Sequence, residues 1–192
     1  IGSAASAWVA NAYILGLTLV IPLSPWLAGR WGARRLLAAS MLVFAAAVWA
    51  CGEASSFGQM VGWRLVQGMA GGLLIPVGQA MTFNRFQGAE RARISTLVMA
   101  VALLAPALSP SLGGWIVDQA SWRWVFHANI PLAMAAAALS WLWVREESSP
   151  AQTRPDLLGL LLISAALATA LLGMSLYGAG HTGVVALACV GA

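Results

Sequence analysis

The sequence predicts an all-α membrane protein, a helical bundle with six visible transmembrane helices and a seventh that is cut short. Composition is the first sign: 60% of residues are hydrophobic and 8% charged, where a soluble domain carries roughly a quarter charged residues. The mean hydropathy is +0.82. Spacing is the second sign, with charge-poor stretches over residues 7–27, 36–51, 59–83, 94–117, 125–144 and 157–177. At about 1.5 Å per residue, stretches near 20 residues cross a hydrocarbon core of about 30 Å. The third sign is charge placement, because the charges gather between the stretches and mostly in alternate connections.

Taken in order, the first stretch runs into Arg30, Arg34 and Arg35, and residues 29–35 read as a loop. The second ends at Glu53. The third carries Arg64 inside it and ends at Arg85, followed by a second loop over residues 84–93 with Glu90, Arg91 and Arg93. The fourth, 94–117, is uncharged throughout and ends at Asp118. Arg123 precedes the fifth, and after it comes the one long connection, with Arg145, Glu146, Glu147, Arg154 and Asp156. The positive-inside rule places the Arg-rich connections in the cytoplasm and Glu53, Asp118 and Arg123 outside. Residue Ile1 is then outside and no basic n-region precedes it, so the expectation is that at least one upstream helix is missing. The domain reading follows: 1–144 as an N-terminal bundle holding helices 2–6 of the intact protein, 145–156 as a cytoplasmic linker, and 157–192 as a further helix with the truncated start of the next.

Charge and residue usage exclude other classes. The formal charge is +4 and the pI about 10.0, but no basic cluster is interleaved with exposed aromatics as a nucleic-acid surface requires. All ten basic residues are Arg. Cys51 and Cys189 sit in or beside apolar stretches without metal spacing and read as small apolar residues. His127 and His181 have no Cys, Asp or Glu at ligand spacing, so they read as boundary or packing residues. No metal or cofactor is expected. No nucleophile, acid and base group cluster at depth, so no enzyme is read either. Trp122, Trp124, Trp141 and Trp143 suit interfacial belts.

In the third stretch, Arg64, Gln67, Gly68, Gly71, Gly72 and Pro76 fall largely on one helical face. An Arg at mid-helix costs about 2.5–3.5 kcal/mol on insertion scales, less near an interface. Two readings stay open here: Arg64 faces a partner or watery cavity, or it snorkels to the outer boundary. The glycines suit tight helix packing. In the fourth stretch, Pro106 and Pro110 lie four apart with Gly113 and Gly114 three and four further on, and Ala102 and Ser109 extend the stripe. Each proline removes a backbone hydrogen bond, and lipid offers the freed carbonyl no donor. Another helix is therefore expected to approach Gly113 and Gly114 closely.

The run from Arg64 through Gln67, Gly68, Gly71 and Gly72 to Pro76 resembles the fourth-helix motif of the major facilitator superfamily, whose Arg is implicated in proton coupling. Pro106, Pro110, Leu112, Gly113, Gly114 and Trp115 resemble the fifth-helix antiporter motif, with Ser109 where the family has glycine. Ser121, Trp122, Arg123, Trp124, Val125, Phe126, Asn129 and Pro131 resemble the signature of the fourteen-helix drug:proton antiporters of the EmrB/QacA type. Arg30, Gly32, Arg34 and Arg35 resemble the cytoplasmic loop between the second and third helices. That loop departs from the pattern, with Pro25 for its first glycine, Gly29 for its aspartate and Ala33 for an arginine, so its conformational lock must be weaker or built differently, and Arg30, Arg34 and Arg35 equally suit a role as topology determinants alone. Asp156, Leu157 and Gly159 resemble the opening of the first extra helix of the fourteen-helix branch, and Asp156 equally suits a plain N-cap.

What the resemblance implies is the N-terminal half of a proton-coupled secondary transporter of the bacterial inner (plasma) membrane that exports drugs or toxic amphipathic molecules by alternating access. Its partners are protons, a drug-like small molecule, the lipid bilayer and, in some relatives, a periplasmic adaptor protein. Nucleic acid is not among them. Arg64, Gln67 and Gly68 take the proton-coupling role, and Gly71, Gly72, Pro76, Pro106, Pro110, Gly113 and Gly114 take gating and helix packing. No visible stretch has Asp or Glu in its middle, so the proton-carrying acid is expected in the absent first helix, as in relatives. The alternatives are an uptake symporter of the same superfamily, which shares the Arg64 motif but not the need for the Pro106–Gly114 pattern, and a membrane scaffold that transports nothing.

Overall fold

The computed structural model describes residues 3–144 and scattered positions between 158 and 173. Among the described residues all regular structure is helical, and five spans are long and apolar enough to cross a membrane. The linker 145–156, Asp156, His181, Cys189 and the truncated last span lie outside the described residues. So does most of the sixth stretch.

The first span is jointed. Helix α1 (Ser3–Val20) passes through a 3-10 turn at Ile21–Leu23 into α2 (Ser24–Trp31). Pro22 and Pro25 each sit in the first turn of their segment, where a helix has no use for the missing N–H. Ser24 Oγ donates to the Ile21 carbonyl at 2.7 Å, giving that oxygen a partner.

The loop expected over residues 29–35 is one residue long. Helix α2 continues to Trp31 and α3 (Ala33–Glu53) begins after Gly32, whose φ of 84° reverses the chain. That value lies where only glycine is unstrained. Helix α4 (Phe57–Arg85) is opened by Ser56, whose side chain accepts from the Gln59 N–H at 3.3 Å. The loop expected over residues 84–93 contracts likewise to Phe86 and Gln87, because α5 (Gly88–Gln119) starts ahead of its apolar stretch. Charged residues did not end these helices. They occupy terminal turns of the helices, where Arg35, Arg85, Arg91 and Arg93 are exposed.

The fifth span is broken at Ala128 between α6 (Trp122–His127) and α7 (Asn129–Trp143). Asn129 Nδ2 bridges the break by donating to the Val125 carbonyl at 2.8 Å. Helices α3 and α4 form the centre, with α1 laid along α4 and the α6–α7 pair along α3. Ala45, Ala47, Val48 and Cys51 of α3 are fully covered. Small side chains at the seams let helix backbones come together, the usual basis of packing where lipid is as apolar as the protein. Helix α5 stands apart: none of its residues is buried, and among the described residues it leans mainly on α6 and α4.

Candidate transport site around Arg64

The glycine face of α4 packs on α1. A Cβ on Gly68 would land on the Tyr13 carbonyl oxygen, one on Gly16 would land on that of Leu65, and one on Gly72 would lie 2.7 Å from that of Leu17. Gly71 looks between Tyr13 Oη at 3.3 Å and Phe44 Cε2 at 3.6 Å. Gly16 was not singled out by sequence, although Ala12, Gly16 and Val20, all buried, form a small-residue stripe at helical spacing that signals such a contact. Pro76, half-buried one turn beyond Gly72, leaves the Gly72 carbonyl without its helical donor.

Arg64 rises from the same face and turns inward. Its guanidinium carbon lies 5.0 Å from the centroid of the Phe126 ring and 5.7 Å from that of Tyr13, so aromatic faces from α6 and α1 flank the cation. Nη1 donates to Gln67 Oε1 at 3.2 Å. Gln67 is itself only 6% exposed and also receives the Cys51 thiol at 3.8 Å. Nε is shut off from solvent and has no hydrogen-bond partner among the described residues. Among the described residues Arg64 forms no ion pair. Of the two readings left open by sequence, the geometry is the inward one: a partly desolvated cation with one donor unused. Tyr13 and Cys51 complete this cluster from helices that sequence reasoning had not connected with Arg64.

The stripe on α5 is bare. Nothing lies within 4 Å of a Cβ built on Gly113 or Gly114, and Pro106 and Pro110 are exposed. The close neighbour expected there is not among the described residues. Sequence identifies a smooth helix face; it carries no information about what covers it.

At the Arg-rich end, Gly32 supplies the reversal and the arginines lie on aromatic rings. Arg30 is 5.7 Å from the Trp26 centroid, and Arg34, 4.8 Å from that of Trp141, bridges α3 to α7. Arg35 is exposed. Trp141, which sequence reads as a belt residue, thus makes an interhelix contact with Arg34.

Between α4 and α5 lies a partly open cleft of about 460 Å³. Leu74, Ile75, Val98 and Met99 make it apolar, and Gln79 and Ser95 give it polar points. It is the size of a small-molecule site with the mixed lining such sites have. Sequence reasoning did not find it, because its walls come from two consecutive helices whose facing sides no local pattern records.

The Major Facilitator Superfamily model matches residues 1–190. The chain is 36% identical over 169 residues to a Mycobacterium tuberculosis protein called "Multidrug resistance protein B homolog", covering 88% of this chain and 31% of that one. It is 34% identical over 157 residues to "Multidrug export protein EmrB" of Escherichia coli, covering 81% of this chain and 31% of the relative. For "Multidrug transporter protein MdtP" of Bacillus subtilis the figures are 29% over 199 residues, with 99% and 36% covered. The chain therefore spans about a third of the length of these relatives. The relatives are bacterial and point to a transporter rather than an enzyme; with the five apolar spans they make this a multi-pass integral protein of the bacterial inner (plasma) membrane.

Proposed function

The chain belongs to the Major Facilitator Superfamily, and on that premise we propose that the intact protein exports drug-like amphipathic small molecules in exchange for protons. Arg64 carries the reading. A cation held between Tyr13, Phe126 and Gln67 with Nε unpaired is poised to receive a carboxylate or a polar substrate group, since a partly desolvated charge without a counter-ion is unfavourable. Proton movement on and off such a carboxylate would change the charge that Arg64 meets, and so couple protonation to the seam between α4 and its neighbours. We assign the carboxylate to a segment outside this sequence. Export, as against uptake, is supported by the names of the relatives and by the proline–glycine stripe of α5. The partners in this reading are protons and the drug, with a periplasmic adaptor as an accessory partner.

The test is Arg64→Ala in the full-length transporter, assayed in inside-out vesicles for drug-dependent proton flux. The expected outcome is normal insertion with flux abolished, and partial rescue by Arg64→Lys, which keeps the charge but loses the planar fork. Wild-type flux from Arg64→Ala would remove the coupling role.

A further inference from the structure

Two contacts fasten α6 to the end of α3 opposite Gly32. His127 Nε2 lies 3.3 Å from Glu53 Oε1, with the side chains 23% and 54% exposed. Arg123 Nε donates at 2.9 Å to the carbonyl of Gly52, one of the terminal oxygens that a helix leaves without an internal partner. Gly52 is what lets the imidazole in, because a Cβ there would sit 2.6 Å from Nε2. The Trp124 ring stands edge-on to the imidazole with centroids 6.0 Å apart.

Nε2 is screened from solvent and makes no aligned hydrogen bond. The approach to Glu53 is therefore an electrostatic pairing whose strength follows the charge on the imidazole. Other charged groups around it are few. Arg123 is spent on the Gly52 carbonyl, and Asp118 is exposed at the end of α5, forming no ion pair among the described residues. Arg64 lies against the ring of Phe126, the neighbouring residue in α6, and α7 has no charged residue.

We propose that His127 and Glu53 form a protonation-controlled clasp: with the imidazole charged, α6 is held on the end of α3, and with it neutral the grip slackens. Histidine side chains change charge between pH 5 and 8. A charged imidazole is drawn both to the Glu53 carboxylate and to the partial negative charge at the carbonyl end of α3. A neutral one loses both attractions. The Arg123 bond persists in either state, so release is a loosening about that anchor and not a detachment. Phe126 moves with α6, which carries the change to the ring covering Arg64. Neither the clasp nor its test depends on what the protein transports.

Cys51, fully buried and one residue before Gly52, serves as the reporter in full-length protein whose other cysteines are replaced. A small neutral disulfide reagent would be applied to wild type, Glu53→Gln, His127→Gln and the double swap Glu53→His with His127→Glu. Comparing proteins at one pH cancels the reagent's own pH dependence. At about pH 5.5 each single variant is expected to react about two- to fivefold faster than wild type, the bias available to a half-exposed pair. As the pH is raised through the range in which histidine side chains lose their charge, that ratio should fall toward one. The swap restores the ion pair but sets its carboxylate against the carbonyl end of α3, so it should recover part of the wild-type protection at the lower pH, more than either single variant keeps, which a merely misfolded variant could not do. Equal reactivity at the lower pH, a ratio unchanged as the pH is raised, or a swap as reactive as the single variants would each overturn the clasp.

Discussion

At Gly68 there is no room for even a methyl group, because the Tyr13 carbonyl occupies the place where a Cβ would go. A backbone oxygen inside a helix does not step aside, so Gly68→Ala must push α1 off α4, and overpacking of this kind costs about 1–3 kcal/mol. Gly71→Ala meets only the mobile Tyr13 hydroxyl and the Phe44 ring edge and should be milder. Gly62, exposed on the same helix with open space around it, is the control: Ala there should stabilise by about 0.5–1 kcal/mol through helix propensity. Thermal unfolding of the purified full-length protein should rank the variants in that order, and a Gly68→Ala protein as stable as Gly62→Ala would show that the crossing is looser than described. Gly68, Gly71 and Gly72 were legible in the sequence because they repeat at helical spacing beside Arg64. Tyr13 and Cys51 were not, since they reach the site from other helices, and no local pattern records which residues meet across a seam.

Among the elements, α5 sets the sharpest problem. A helix of 32 residues with nothing buried gains little from its own chain, yet its prolines leave the carbonyls of Ala102 and Pro106 without helical donors. Helical identity was readable for every described span, because about 20 apolar residues in lipid have few structural options. The ends were not. Sequence opened loops over residues 29–35 and 84–93, whereas at the Arg-rich end the chain reverses within Gly32 and the pair Phe86–Gln87. Charge marks where a helix leaves the hydrocarbon; caps and glycines mark where it stops. For the α5 stripe we propose that a helix from outside the described residues seats against Gly113 and Gly114 in the intact transporter. Gly113→Leu and Gly114→Leu should then insert normally but export poorly or leak protons, as a bias of about 1–3 kcal/mol displaces a two-state gate. Undiminished export by both variants at matched expression would mean that the stripe faces lipid.

For the molecule as a whole, orientation in the membrane follows from the distribution of charge over two ends. Arg30, Arg34, Arg35, Arg85, Arg91 and Arg93 gather at one end with Glu90, while Glu53, Asp118 and Arg123 lie at the other. Three arginines of the first end also rest on rings, Arg30 on Trp26, Arg34 on Trp141 and Arg91 at 3.8 Å from the Phe83 centroid, a cation and aromatic pairing suited to a headgroup boundary. From the retention of positive charge on the cytoplasmic side we propose that this end is the inner one, which would make the His127–Glu53 contact extracytoplasmic. Single cysteines test this at exposed positions that avoid both the clasp and the Arg64 cluster. In intact cells an impermeant thiol reagent should modify Gly58→Cys and Gln119→Cys and spare Arg35→Cys and Gln87→Cys until the membrane is permeabilised. The reverse pattern would turn the bundle over. It would also put the proposed His127–Glu53 clasp on the cytoplasmic side.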